Sequence, residues 1–172
     1  MRAGTRSVPA TNSVLVPAPG TGDNRSMTAP SAPQPFRTTR RVEFSDTDAA
    51  GISHFTAFFR YMEQAEHELL RSLGLSVFMP VDGQEITWPR VSSKCDFRSM
   101  AKFEEVLEIA TSISRLGEKS VTWSFHFTIG PREVASGEIT AVCCRVNPDG
   151  TLSSTPIPPL FLTKLRPLAT HH

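Results

Sequence analysis

No stretch of this 172-residue chain approaches the roughly 18 consecutive apolar residues that a bilayer-crossing helix needs, and no contiguous apolar segment with a small-residue cleavage site marks the N-terminus as a secretory leader. Neither sign of charge is in excess: the net charge of +1 leaves no electrostatic footprint for a nucleic-acid partner. Cysteine is scarce. Three residues, with Cys143 and Cys144 adjacent, make a poor disulfide framework and fit reduced thiols, so a soluble cytoplasmic protein with no membrane span is expected. The chain also lacks a His/Cys spacing for zinc, a Gly-x-Ser-x-Gly elbow and a histidine beside any cysteine, which argues against metal, serine and thiol chemistry. No metal and no cofactor are expected.

What is present divides unevenly. Residues 1–35 hold six of the fourteen prolines, no aromatic residue and a single acid, Asp23; such a segment buries too little apolar surface to offset its ordering entropy and reads as a disordered Pro/Ser/Thr-rich tail. Met27 lies inside it and is a possible alternative start. One domain is expected over 36–168, followed by a flexible C-terminus at 169–172 in which His171-His172 is an unstructured end rather than a metal site. Residues 36–45 alternate as a strand does. From Phe55 the apolar positions Phe55, Phe58, Met62, Ala65, Leu69 and Leu73 recur at steps of three and four, predicting a helix of about four to five turns that ends at Gly74 in a left-handed cap. Residues 80–85 read as a loop, and four strands follow at 88–98, 106–116, 119–129 and 134–146. The strand at 119–129 is the clearest, with Val121, Trp123, Phe125, Phe127 and Ile129 alternating against Thr122, Ser124, His126 and Thr128. Residues 155–168 are proline-rich, then suggest a short helix or strand. One helix followed by several long strands is an α+β pattern, the helix lying across a mostly antiparallel sheet.

Chemistry concentrates at Ser45-Asp46-Thr47-Asp48-Ala49-Ala50-Gly51, where the first strand hands over to the helix. The first N–H groups of a helix lack internal partners and attract negative charge. Either aspartate can be a helix cap or turn former, or a catalytic carboxylate; Ala49, Ala50 and Gly51 leave room for a substrate to approach the backbone. On the helix, at about 100° per residue, Glu66 falls about 40° from Met62 and so within the apolar stripe, while Glu63 sits at its margin. Either acid can instead be paired with Arg60, Arg71 or His67 at the surface.

The segment from Ser45 to Ile52, followed by Phe55 and the run Phe58-Phe59-Arg60-Tyr61-Met62-Glu63, resembles the D-x-D-x-x-G signature of hotdog-fold acyl-CoA thioesterases of the 4-hydroxybenzoyl-CoA thioesterase type. The resemblance continues through Val91-Ser92, Phe97, Phe103 with Glu104 to Leu107, and Lys119-Ser120. It implies a hotdog fold: a long central helix wrapped by a curved, mostly antiparallel sheet of about five to six strands, with subunits paired edge to edge as a homodimer or homotetramer and each active site at a subunit interface.

It further implies hydrolysis of an acyl-CoA thioester to the free acid and CoA. In that reading Asp48 is nucleophile or general base, the backbone amide of Phe55 is the oxyanion donor, and Glu63 is a pocket acid. A thioester carbonyl is weakly resonance-stabilised, so a carboxylate can attack it or activate a water that does. His54 is either an unremarkable helix-entry residue or a group that bonds the substrate. Gly51 is expected at the substrate, and Lys119, Ser120 and Arg115, with Arg98 nearby, at the CoA phosphates. Where some relatives carry consecutive arginines this chain has Gly117-Glu118. The alternatives are a non-catalytic acyl-thioester or small-ligand binding protein, and, from His54-Phe55, a hydroxyacyl-thioester dehydratase; the latter's motif continues with Pro and Gly, whereas this chain continues Thr56-Ala57-Phe58.

Overall fold

The computed structural model describes residues 33–170. All but the last three residues of the stretch expected to be a disordered tail, and His171-His172, lie outside the described residues. The chain enters through β1 (Phe36–Arg41) and a 3₁₀ turn (Phe44–Asp46), then forms the long helix α1 (Phe55–Ser72). A hairpin of β2 (Phe78–Val81) and β3 (Gln84–Thr87) precedes four long strands, β4 (Arg90–Phe97), β5 (Val106–Leu116), β6 (Ser120–Ile129) and β7 (Arg132–Val142). Two short strands, β8 (Cys144–Val146) and β9 (Leu152–Ser154), lead to α2 (Pro159–Leu165) and a 3₁₀ turn (Arg166–Leu168). The five-stranded sheet runs β1-β5-β6-β7-β4, antiparallel throughout, and a four-stranded sheet runs β2-β3-β8-β9.

The helix forms where its apolar stripe demands it. Ala57, Phe58, Tyr61, Met62, Ala65, Leu69 and Leu70 are buried on one face, against the inner face of the sheet that Val121, Trp123, Phe125 and Phe127 build from β6. The alternation of β6 weakens at its end, because a register shift between Phe127 and Thr128 leaves Ile129 half-buried. Gly74 closes α1 at φ +67°, with its N–H on the Arg71 carbonyl and the Leu75 N–H on the Leu70 carbonyl, the paired bonds of a left-handed C-terminal cap. Close approach of helix and sheet depends on Gly137 of β7, where an added Cβ would lie 2.4 Å from the Met62 sulfur and 3.0 Å from the Lys94 carbonyl oxygen.

Four sequence expectations change. The loop expected at 80–85 is the turn of a hairpin: Asp82 and Gly83 both take positive φ, 50° and 76°, the conformation a two-residue hairpin turn requires. The strand expected at 134–146 is two strands, because the chain leaves the main sheet at Cys143, whose N–H bonds Lys119 and whose carbonyl accepts from Thr155. The first strand stops at Arg41, since Asp46 takes its N–H to Glu43 in the 3₁₀ turn. After the prolines, α2 starts with Pro159 at its first position and buries Phe161 against Trp88 at 5.2 Å between ring centres. Of the C-terminal residues expected to be flexible, Ala169 is buried and Thr170 donates its N–H to Ile113.

Candidate active site

The segment between the 3₁₀ turn and α1 folds back on itself. Thr47 bridges Ser53, the Asp48 N–H reaches the Ile52 carbonyl at 2.9 Å, and the Gly51 N–H reaches the Asp48 carbonyl at 3.0 Å. Gly51 adopts φ +73°, which a side chain would strain, and nothing lies within 4 Å of where its Cβ would be. Asp48 is exposed; one carboxylate oxygen accepts the Ala50 N–H at 2.8 Å, and the residue borders a cavity of about 370 Å³. Ile52, Ser53, Phe55 and Phe58 line it from the helix side, and Phe97 at the end of β4 with 98–101 after it from the other.

The facing wall is held from a distance. Arg132 donates to the Met100 carbonyl and the Ser99 hydroxyl and pairs with Glu105 at 2.7 Å, while the Ser53 N–H reaches the Ala101 carbonyl at 2.7 Å. Hydrogen bonds from the Lys102 amide and Arg132 hold the Glu105 carboxyl below its ordinary value. Ser99 and Met100, which line the cavity, and Arg132, which holds them, carry no motif in the sequence, and only the fold brings them together.

Phe55 is the first residue of α1, and among the described residues its N–H finds no acceptor. His54 caps the helix: its Nδ1 accepts the Thr56 N–H at 3.4 Å and meets the Thr56 hydroxyl at 2.7 Å. Its ring lies against that of Phe55 and is not among the groups lining the cavity.

Asp46 differs from Asp48. Both of its carboxylate oxygens are engaged, one by Arg60 at 2.7 Å and the other by the Tyr61 hydroxyl at 2.7 Å and the Glu43 N–H at 3.2 Å. Burial pushes the Asp46 carboxyl up, but the bonds from Tyr61, Arg60 and Glu43 outweigh it and leave the group below its ordinary value.

The other expected site residues lie elsewhere. Glu63 is exposed and lines a separate groove with Phe59, Arg60, Arg90 and Ser93. Glu66 is buried at 1% exposure and pairs with Arg90 of β4 at 2.7 Å, a partner that helix spacing could not supply. Burial pushes its carboxyl up to about 7, against the pull of Arg90 and with a push from Glu63. Lys119, Ser120 and Arg115 sit at the β5–β6 hairpin, the opposite end of the sheet from Asp48, since Arg41 pairs with Val106 at the start of β5 and the hairpin follows its last residue, Leu116. Beside that hairpin is a cleft of about 520 Å³ lined by Leu116 to Glu118, Pro156, Ile157, Leu162 and Arg166. Arg98, in contrast, borders the Asp48 cavity.

Thiol chemistry finds no support here. Burial pushes Cys95 and Cys143 up to about 11, with Asp96 adding to the first and Cys144 to the second. Among the described residues, no three His, Cys, Asp or Glu side chains gather as metal ligands, and no helix is long and apolar enough to cross a membrane.

The family model described as the thioesterase superfamily matches residues 50–136. A putative esterase of Aquifex aeolicus (strain VF5) is 30% identical over 123 residues, 71% of this chain and 92% of that protein. A 1,4-dihydroxy-2-naphthoyl-CoA hydrolase of Synechococcus sp. (strain WH7803) is 33% identical over 114 residues, 62% of this chain and 74% of that one. Among solved structures, a gentisyl-coenzyme A thioesterase is 30% identical and superposes with a TM-score of 0.66, covering 76% of this chain and 99% of its own. The relatives named for a substrate here are named for naphthoyl- and gentisyl-CoA, not for 4-hydroxybenzoyl-CoA.

Proposed function

The chain belongs to the thioesterase superfamily, with its hotdog fold, and from that premise we propose that it hydrolyses an acyl-CoA thioester to the free acid and CoA at Asp48. The observation that carries this reading is that Asp48, an exposed carboxylate, and Phe55, whose N–H at the start of α1 has no acceptor among the described residues, line the same cavity. A thioester carbonyl lodged there meets an oxygen nucleophile on one side and an N–H donor on the other. Its oxygen gains negative charge as the tetrahedral intermediate forms, and the Phe55 amide at the positive end of α1 stabilises that charge.

Two routes use the same groups. Asp48 takes a proton from a water whose oxygen bonds the carbonyl carbon, the C–S bond breaks, and the CoA thiolate collects the proton. Alternatively the Asp48 oxygen bonds the carbon itself, expels the thiolate and leaves a mixed anhydride that water opens. In one turnover in ¹⁸O-water, label in the Asp48 carboxylate establishes the second route with water opening the anhydride at the Asp48 carbon, whereas the first route puts label into the product acid alone.

One subunit does not complete the site. The eleven residues of β5 span about 35 Å at roughly 3.3 Å per residue, so Lys119, Ser120 and Arg115 stand far from the Asp48 of their own chain. Strand β4 ends the sheet and exposes Val91 and Phe97. A two-fold dimer that pairs β4 with its copy runs the two strands antiparallel, which sets the Phe97 end of one subunit beside the Arg90 end of the other. Because Arg90 and Ser120 pair with the neighbouring residues Ala141 and Val142 of β7, that arrangement carries the partner subunit's Lys119 toward this subunit's Asp48. We therefore read the enzyme as a homodimer in which each site takes its thioester from one chain's turn and its CoA phosphates from the other chain's hairpin. Three unpaired thiols, two of them buried, suit the reducing cytoplasm in which acyl-CoA would be met.

Purified protein is to be assayed for thiol release from aromatic, short-chain and long-chain acyl-CoAs beside Asp48→Ala. The reading expects release by wild type and its loss in the variant. Equal, slow release by both, with acyl-CoA still bound, would leave a binding protein in place of an enzyme.

A further inference from the structure

We propose that Arg60 and Tyr61, acting together on the Asp46 carboxylate, are positioning residues that hold the Asp48 turn in register with the N-terminus of α1 for catalysis. This rests on the Asp48 reading above and assigns work to three residues that do not touch the cavity.

Within the turn, backbone bonds and the Ala50 N–H on the Asp48 carboxylate fix its shape but not its place against the helix. Asp48, Ala49, Ala50 and Gly51 are all exposed, and the space around Gly51 is open. No apolar side chain of this stretch is buried to fix its place, so its alignment must come from polar links to firmer elements. Asp46 supplies them. Its carbonyl accepts the His54 N–H at 2.7 Å, one residue before the Phe55 amide, so its main chain joins the two sides of the loop. Its side chain then reaches the second turn of α1. Arg60 and Tyr61 are consecutive and leave the helix about 100° apart, yet both end on this one carboxylate, at 2.7 Å on separate oxygens.

The two arms differ in firmness. Arg60 approaches from solvent, its side chain 52% exposed. Tyr61 approaches from the core, 3% exposed, with its ring edge-on to Phe58 at 5.9 Å. Phe58 also lines the Asp48 cavity, so Tyr61 couples the cavity floor to the turn through a hydroxyl whose partner is Asp46. Burial, with the same contact adding to it, raises the Tyr61 phenol above its ordinary range. With both oxygens of Asp46 occupied, the two aspartates of the motif divide the work: one is held and the other is free. A reacting carboxylate displaced by as little as about 1 Å can lose about a hundredfold in rate, which is the quantity such a clamp protects.

Tyr61 is the only tyrosine in the chain, so its ionisation can be followed by phenolate absorbance without background from another tyrosine. In wild type the phenol should stay protonated at pH values near 10, where a free tyrosine is half ionised, and Asp46→Asn should move its titration back toward that value. Tyr61→Phe removes a single hydroxyl; kcat on the best acyl-CoA should fall about tenfold with KM within about twofold and the circular dichroism spectrum unchanged. Arg60→Gln should act in the same direction, with Arg60→Lys recovering most of the loss. Should Tyr61→Phe fail to fold, Arg60→Gln, at a half-exposed side chain, carries the test. Folded variants that keep wild-type kcat beside an inactive Asp48→Asn would overturn the clamp and leave the Asp48 assignment standing. Wild-type turnover by Asp48→Asn would overturn that assignment, and the clamp with it.

Discussion

At the N-terminal end of α1, Asp48 stands exposed with one backbone amide on its carboxylate, whereas in the middle of the same helix Glu66 is buried at 1% exposure and paired with Arg90. Both are carboxylates of the helix and its entry turn. Their surroundings separate them. A carboxylate inside the core must be paired or protonated, and one so engaged cannot reach a substrate. Glu66 braces helix against edge strand; Asp48 borders the cavity that Phe55, at the start of α1, also lines. Here a strongly shifted acid marks a structural pair, and the reactive candidate is the acid with room around it.

The comparison breaks most decisively at Asp48. Asp48→Asn keeps the turn-forming acceptor for the Ala50 N–H and should lower kcat at least about a thousandfold with a melting temperature close to wild type. At the other acid the outcome inverts. Glu66→Ala strands Arg90 and should destabilise the fold by about 3 kcal/mol in urea titrations, with turnover per folded molecule retained; the double change Glu66→Leu with Arg90→Leu should be near neutral.

A pH series sharpens the same contrast. Because burial lifts Glu66 from 4.5 to about 7, the native state keeps its proton longer than the unfolded chain does. Its contribution is therefore complete below pH 4.5 and is lost as pH rises through about 7, by up to about 3 kcal/mol, a slope that the double Leu variant should lack.

Two glycines extend the comparison to the backbone. Gly137→Ala drives a methyl group into Met62 and the Lys94 carbonyl within the core and should cost about 2 kcal/mol. Gly51→Ala meets no atoms and should cost about 1 kcal/mol, from its positive φ alone, read as a melting shift of a few degrees.

Much of this was legible in the order of residues. The stripe from Phe58 to Leu69, the Gly74 cap and the alternation of β6 are local periodicities, and a helix or strand repeats them whatever it packs against, whereas Phe55, expected in the same stripe, is exposed at the helix start. The Asp46 to Gly51 motif was legible for the same reason, being contiguous. Less legible were features joining distant segments. The partner of Glu66 is Arg90, a residue on a strand, where helix spacing pointed to Arg60, Arg71 or His67. The small second sheet was missed because its strands are three or four residues long, too short for alternation to register.

The sequence by itself determined the class of fold, the position of the central helix and the turn that carries the paired aspartates, because each depends on neighbours along the chain. Only the tertiary structure decided which aspartate is held and which is free, that Glu66 belongs to the core, and that Lys119 and Asp48 stand at opposite ends of one subunit. Those outcomes depend on strand order and on which side chains meet across it, and contacts of that kind leave no periodic trace in a single sequence.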